Sequence, residues 1–211
     1  IAILIGCVIS ISHFIQYVIP GAAINYSGAD MKGGAPISAI SRWIGGTGYA
    51  LHTFLYYLIA PIIACIPFAD SFFIDKNTGY IKNIFTRTKK SHYYISKYIS
   101  TFISGGLAVI TPLLLNLYLT AMVLPSITPE VSAREYPIFD LSMWSGLFYT
   151  HPYIYTLLYL LIDFVFFGLI ATIGLTVSHT IENRFAVLLA PFLYYILISF
   201  IFNTTNLDIF D

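Results

Sequence analysis

The sequence predicts an all-α, polytopic helical membrane protein. Of its 211 residues, 58% are hydrophobic and only 9% are charged, and the mean hydropathy is +0.81. Soluble domains carry about 25% charged residues, so this chain has too little charge to make a water-compatible surface. Apolar runs recur at the length of about 20 residues that a helix needs to cross a bilayer. The period-two alternation of transmembrane strands is absent from the sequence.

Five apolar runs are long enough to be spans. In chain order they cover about 1–20, 48–68, 98–124, 152–178 and 185–202. Each is expected to be a helix, because a helix satisfies its backbone hydrogen bonds within one span. The connecting loops are too short for separate folds, so we expect a single transmembrane domain over 1–211. The chain begins and ends beside apolar runs, and we expect one or both ends to be trimmed.

The cationic residues are divided unevenly between the loops. Six of the ten Lys and Arg residues lie in 70–97, namely Lys76, Lys82, Arg87, Lys89, Lys90 and Lys97. One more, Arg184, lies in the 179–184 loop, whereas the other two loops hold Lys32, Arg42 and Arg134. The positive-inside rule therefore places 70–97 and 179–184 in the cytoplasm, with a cytoplasmic N-terminus in a plasma membrane. The net charge of zero gives no indication of a nucleic-acid partner.

Residues 70–97, the basic segment, form an amphipathic island between two apolar runs. A helix over 80–92 would place one apolar face together, made of Tyr80, Ile81, Ile84, Phe85 and Thr88. Asp75 would lie near the positive N-terminal end of that helix. Such a segment is suited to contact a cytoplasmic partner, to anchor on anionic lipid headgroups, or to be a solvated loop. The pattern alone leaves the three open.

The basic segment resembles the first cytoplasmic loop of type-2 ABC exporter permeases, small bacterial subunits of the Gram-positive type. Those permeases commonly have an acidic residue, three residues, a glycine, a short helix and a span that opens with a lysine. Asp75, Gly79 and Lys97 match those positions, although the acid is usually Glu. The stretch 183–192 also resembles the loop and fifth span of such permeases. The resemblance covers the chain in span order, except that the sixth span of the full subunit is missing.

The resemblance implies a subunit that pairs with a second permease, identical or paralogous, and binds two ABC ATP-binding subunits. The helix after the second span would be the coupling helix that contacts the ATPase. By the resemblance, the ATPase-contact residues are Asp75, Gly79, Tyr80, Ile81, Ile84, Phe85, Arg87, Lys89 and Lys90. ATP and Mg²⁺ would be bound by the partner subunit, so this chain would carry no cofactor.

The sequence lacks the motifs of an enzyme. No G-x-x-x-x-G-K-[ST] phosphate-binding loop occurs, and no catalytic triad or paired-carboxylate motif can be placed on one face. The histidines are scattered and mostly near the expected membrane edges, so they predict no metal site; they are His13, His52, His92, His151 and His179. Gly105 and Gly106 predict close helix packing. We expect a transport subunit rather than an enzyme.

Asp163, deep in the fourth span, and Asn116 form the candidate intramembrane polar site. An acidic residue inside a membrane span is by default a candidate functional residue. Asp163 would serve as a proton or cation site, as a polar contact in a substrate path, or simply as a hydrogen-bond partner of a neighbouring Tyr or of Asn116.

The combined interpretation is a permease subunit of an ATP-driven exporter that moves an amphipathic substrate, such as a peptide, lipid or drug. The rivals are an ion-coupled secondary transporter that uses Asp163, a membrane-embedded enzyme, and a non-transporting anchor or sensor subunit. The charge census argues against the enzyme, because no cluster of His, Asp or Glu lies at one membrane surface.

Overall fold

The computed structural model describes residues 1–27, 37–46, 50–128, 143–181 and 183–207. These residues form ten α-helices and one π-helical segment, with no β-strand among them. The α-helices are α1 (Ala2–His13), α2 (Ile19–Ser27), α3 (Ala39–Arg42), α4 (Leu51–Cys65), α5 (Ser71–Asn77), α6 (Tyr80–Phe85), α7 (Lys90–Val123), α8 (Ser145–Thr150), α9 (Pro152–Val177) and α10 (Arg184–Leu207). The π-helical segment is Phe14–Val18, between α1 and α2. Lys32 and Arg134 lie outside the described residues.

Four helical stretches are long and apolar enough to cross a bilayer. They are Ala2–Tyr26, Lys90–Val123, Pro152–Val177 and Arg184–Ile201. Each carries large apolar side chains on an exposed surface, for example Leu4, Leu107, Leu161 and Leu197. In water such surfaces would be an aggregation liability, whereas lipid solvates them. The chain is therefore a helical membrane protein.

The second predicted span, 48–68, is shorter in the structure than expected. Helix α4 has 15 residues and is about 22 Å long, against a hydrocarbon core of about 30 Å. It ends at Cys65 because Pro67 has no N–H to donate and disfavours helical geometry in the residue before it. The apolar run was therefore longer than the helix that it forms.

Two other helices extend beyond their predicted bounds. The first span continues past Pro20 to Ser27, and the π-helical segment ends two residues before that proline, where wider turns accommodate its missing N–H. Helix α7 begins at Lys90, before the apolar run that starts at 98, and has 34 residues, which gives a length of about 51 Å. Since this exceeds the hydrocarbon thickness, the polar first turns of α7 can extend beyond the lipid core.

The chain divides into two compact units. The first unit comprises Ile1–Ala2, Ile59–Val109 and Phe164–Asp211, and the second comprises Ile3–Leu58 and Ile110–Asp163. The expectation of one domain over 1–211 stays a prediction.

In the first unit, two adjacent glycines let α7 approach its neighbours closely. A Cβ atom on Gly105 would lie 2.5 Å from Ala171 Cβ and 3.0 Å from the Ala64 carbonyl oxygen. A Cβ atom on Gly106 would lie 2.8 Å from the Phe164 carbonyl oxygen. The predicted close packing at the two glycines is therefore confirmed.

We expect Gly105→Ala to destabilise the protein by about 1–3 kcal/mol, because the added methyl group would force α7 away from Ala64 and Ala171. The matched control is Gly146→Ala, since a Cβ atom there would meet nothing within 4 Å. Thermal unfolding in mild detergent measures both variants. Equal melting temperatures for the two would contradict the close packing.

In the second unit, an apolar core joins the end of the first span to α3 and α7. Its buried members are Val18, Ala22, Ile37, Ala39 and Leu124. The Ala39 N–H donates to the Pro125 carbonyl at 3.0 Å, and the Ser38 hydroxyl donates to the Ile127 carbonyl at 2.9 Å. The short helix α3 is thereby held at the end of α7.

Candidate functional site

The basic segment is two short helices followed by the start of α7, all in the first unit. Helix α5 ends at Asn77, and Gly79 then adopts a left-handed conformation with φ of +74°. Glycine suits this position because a side chain is strained there. The turn at Gly79 directs α6 away from the axis of α5.

The predicted helix over 80–92 is wrong in its second half, because α6 ends at Phe85. Two threonines end it: the Thr86 hydroxyl donates to the Asn83 carbonyl at 2.8 Å, and the Thr88 hydroxyl donates to the Ile84 carbonyl at 3.1 Å. Side-chain bonds to nearby carbonyls compete with continued helical bonding.

The apolar face of α6 packs inward. Ile81, Ile84 and Phe85 lie against a buried cluster of Phe72, Tyr93 and Leu175. Tyr80 and Thr88, predicted on the same face, are both exposed, and 53% of Tyr80 is accessible. The ring of Phe85 is perpendicular to that of Tyr93, with centroids 5.6 Å apart. These contacts attach α6 to α7.

Asp75 lies within α5 rather than near the N-terminal end of a helix. Its Oδ2 atom is 2.7 Å from Lys97 Nζ and accepts a hydrogen bond of 2.6 Å from the Tyr93 hydroxyl. The side chains of Lys97 and Asp75 are only 20% and 15% exposed. The acidic and basic residues of the resemblance are thus paired, and they bind α5 to α7.

We expect Asp75→Asn and Lys97→Met to show a coupling free energy of about 1 kcal/mol in a double-mutant cycle, since the pair is partly buried. Chemical unfolding of the wild type, the two single variants and the double variant measures it. Additive effects of the two substitutions would show that the ion pair does not stabilise the segment.

The loop between α9 and α10 contacts the basic segment. Arg184 forms an ion pair with Asp70, whose side chain is buried. His179 packs its ring against Phe72, with centroids 3.7 Å apart, and lies beside Tyr94. The two loops that the charge distribution assigns to the cytoplasm are therefore in contact.

Burial lowers the pKa of His179 below its ordinary value of 6.5. The folded protein thus holds fewer protons on His179 than the unfolded chain does, so this group lowers the free energy of unfolding as pH falls below about 6.5. His179→Phe keeps a ring against Phe72 and removes the titration. We expect the variant to lose less stability than the wild type between neutral and mildly acidic pH; identical pH profiles of the two melting temperatures would contradict this.

The outer surface of the segment is cationic. Residues 76–97 contain no Asp or Glu. The exposed cationic side chains are Lys76, Lys82, Arg87, Lys89 and Lys90. With Ile81, Ile84 and Phe85 packed inward, the surface offered to a partner is dominated by positive charge.

The two predicted intramembrane polar residues lie in the second unit but in different networks. Asp163 Oδ2 accepts a hydrogen bond of 3.0 Å from the Tyr57 hydroxyl, which is the kind of contact expected from a neighbouring tyrosine. Asn116 is fully buried and accepts from the Ile44 N–H at 2.9 Å while donating to the Ser10 carbonyl at 2.9 Å. Asn116 therefore joins three parts of the second unit.

The second unit also contains a histidine pair that was not predicted from the sequence. His13 and His52 lie with ring centroids 5.8 Å apart, and Tyr17 stacks on His13 at 5.3 Å. The Asn116 amide nitrogen is 3.3 Å from His13 Nδ1. Because the Ile44 N–H fixes the amide oxygen as the acceptor, the amide nitrogen donates and His13 Nδ1 accepts. The signal available in the sequence was that each of these two histidines lies inside an apolar run.

Within the described ranges, no group of three or more His, Cys, Asp or Glu side chains is arranged to hold a metal ion. In comparisons with protein-family models, with curated proteins and with solved structures, no match to this chain is found.

Proposed function

We propose that this chain is the membrane-spanning permease subunit of an ATP-driven ABC exporter, and that the basic segment is its coupling element. The observation that carries the proposal is an exposed cationic surface on α5, on α6 and on the turn that leads into α7, with both short helices attached to α7. A surface that transmits force from a partner must be attached firmly to a span. The apolar face of α6 and the Asp75–Lys97 pair supply that attachment.

The expected partner is an ATP-binding-cassette subunit that binds ATP and Mg²⁺, since this chain has no phosphate-binding loop of its own. A second permease, identical or paralogous, would complete the transporter. Movement of α5 and α6 would be passed to α7, which begins at Lys90 and runs into the membrane without a break. The substrate would pass between the two permeases.

The proposal extends to the bilayer topology. Five spans, with α4 as a short second span, and a sixth in the full subunit would place the basic segment and the N-terminus in the cytoplasm. The contact between the basic segment and the 176–184 region supports this topology, because both would then lie on one side.

Two other functions remain as alternatives. The first is an ion-coupled secondary transporter that uses Asp163, which is favoured by the position of that acid within α9. The second is a non-transporting anchor or sensor, in which the cationic surface would bind anionic lipid headgroups.

The test is purification of the tagged protein from its native host in mild detergent, followed by mass spectrometry. The proposal predicts that an ATP-binding-cassette subunit co-purifies. Recovery of the folded protein without any such subunit, in several detergents and in native lipid discs, would contradict it.

A further inference from the structure

Asp163 is a buried acid near the middle of a span. It is 8% exposed and lies about 17 Å along a helix about 39 Å in length. Tyr57 donates a hydrogen bond to it, but no Lys, Arg or His side chain among the described residues forms a salt bridge with it. A carboxylate at this depth is unfavourable unless it is paired or protonated. When Asp163 is ionised, it has a hydrogen-bond donor but no cationic side-chain partner among the described residues.

Several tyrosine rings lie near this carboxyl group or along the same helix face within the second unit. Tyr159 lies one helical turn before Asp163 and Tyr155 lies one turn before Tyr159, so all three share a face of α9. The rings of Tyr155 and Tyr159 have centroids 5.8 Å apart. Tyr57 lies opposite on α4, and Tyr56 packs edge-on against it at 5.8 Å. The electron-rich faces of such rings attract cations.

The face is open at one side. Tyr159, which lies on this face, is 37% exposed. A ligand can therefore approach the carboxyl group along the tyrosine rings, from the apolar surroundings of α9.

The chemistry of these groups favours an organic cation over a metal ion. A hard metal ion needs several oxygen or nitrogen ligands, and Asp163 belongs to no group of three or more His, Cys, Asp or Glu among the described residues. A lipophilic ammonium or phosphonium ion needs only one carboxylate and aromatic faces. Its apolar part would replace lipid contacts on the exposed surface.

We propose that Asp163, Tyr57 and Tyr159 form a binding site for the positively charged group of an amphipathic organic cation. This inference rests on the proposed function only for the transport step, where it makes lipophilic cations the substrate class. The binding step needs no ATPase, so it can be tested by itself.

The experiment measures equilibrium binding of radiolabelled tetraphenylphosphonium to the purified protein in phosphatidylcholine nanodiscs. Zwitterionic lipid limits attraction of the probe to the bilayer. We expect saturable binding that dodecyltrimethylammonium displaces and that the neutral dodecyl maltoside does not displace. Binding that fails to saturate, or equal displacement by the two competitors, would overturn the inference.

Variants locate the site. Asp163→Asn removes the charge with little change in shape, and we expect it to weaken binding about tenfold or more. Asp163→Glu should stay within about threefold of the wild type, because it keeps the carboxylate. If the asparagine variant fails to fold, the binding affinities of Tyr159→Leu and Tyr194→Leu are compared instead. Tyr194 is an exposed tyrosine of the first unit, so its replacement should leave the affinity unchanged. Equal affinity of Asp163→Asn and wild type, or of the two Tyr→Leu variants, contradicts the site.

Failure of the site and failure of the proposed function are distinguishable. Tetraphenylphosphonium binding without a co-purifying ATPase would support the site and remove the exporter assignment. A co-purifying ATPase without Asp163-dependent binding would do the opposite.

Discussion

Replacing Asn116 with leucine is expected to destabilise the protein by about 2–4 kcal/mol. The side chains are similar in size, so the change removes hydrogen bonds with little loss of packing. It leaves the Ile44 N–H and the Ser10 carbonyl without their partner, and it also removes the contact with His13. A buried polar group left unsatisfied costs about 1–3 kcal/mol, and single bonds between membrane helices contribute less than that on average.

Unfolding of the Asn116→Leu variant in mild detergent, followed by circular dichroism, measures the loss. Met122→Leu is the matched control, because Met122 lies on the same helix and is 64% exposed. A melting temperature for Asn116→Leu equal to that of the control would show that the network does not stabilise the second unit.

The second large effect concerns recruitment of the ATPase subunit. Gly79→Pro would fix φ near −65°, whereas the turn between α5 and α6 requires +74°. Arg87→Glu would place a negative charge in a surface that is otherwise cationic. We expect each change to reduce the co-purifying ATPase about tenfold or more, because a misdirected helix or a reversed charge weakens a complementary interface.

Matched controls separate docking from folding. Asparagine adopts a left-handed backbone more readily than most residues, and lysine keeps the positive charge. Gly79→Asn and Arg87→Lys should therefore both retain the ATPase subunit. Each variant is first shown to elute as the wild type does in size-exclusion chromatography. Retention of the ATPase by well-folded Gly79→Pro and Arg87→Glu proteins would show that the basic segment is not the docking surface.

The class of fold could be predicted from the sequence because lipid imposes a simple constraint. A helix in hydrocarbon needs an apolar run of a certain length, and four of the five predicted runs form such helices. The length of the second span was overestimated from the run over 48–68, because hydropathy takes no account of Pro67, which ends α4 early. The apolar run over 98–124 covers only part of α7, which begins at Lys90, because a change from polar to apolar residues does not mark the end of a helix.

The site was less predictable, because it depends on contacts between distant residues. The pairing of Asp75 with Lys97 needed helix α5, which has no strong sequence signature. The pairing of His13 with His52 joins residues on two different helices, and their spacing in the sequence does not predict it. By contrast, the tyrosine contact of Asp163 could be expected, because an acid within a span must find a hydrogen-bond partner.

The most direct test of the coupling proposal is site-specific photocrosslinking in native membranes. A photoreactive phenylalanine is placed at Arg87, just before α7, and as a control at Thr128, just beyond the other end of α7. We expect that the probe at 87, and not the probe at 128, forms an adduct with an ATP-binding-cassette subunit. Adducts at 87 with lipid only, or equal adducts with the ATPase at both positions, would contradict it.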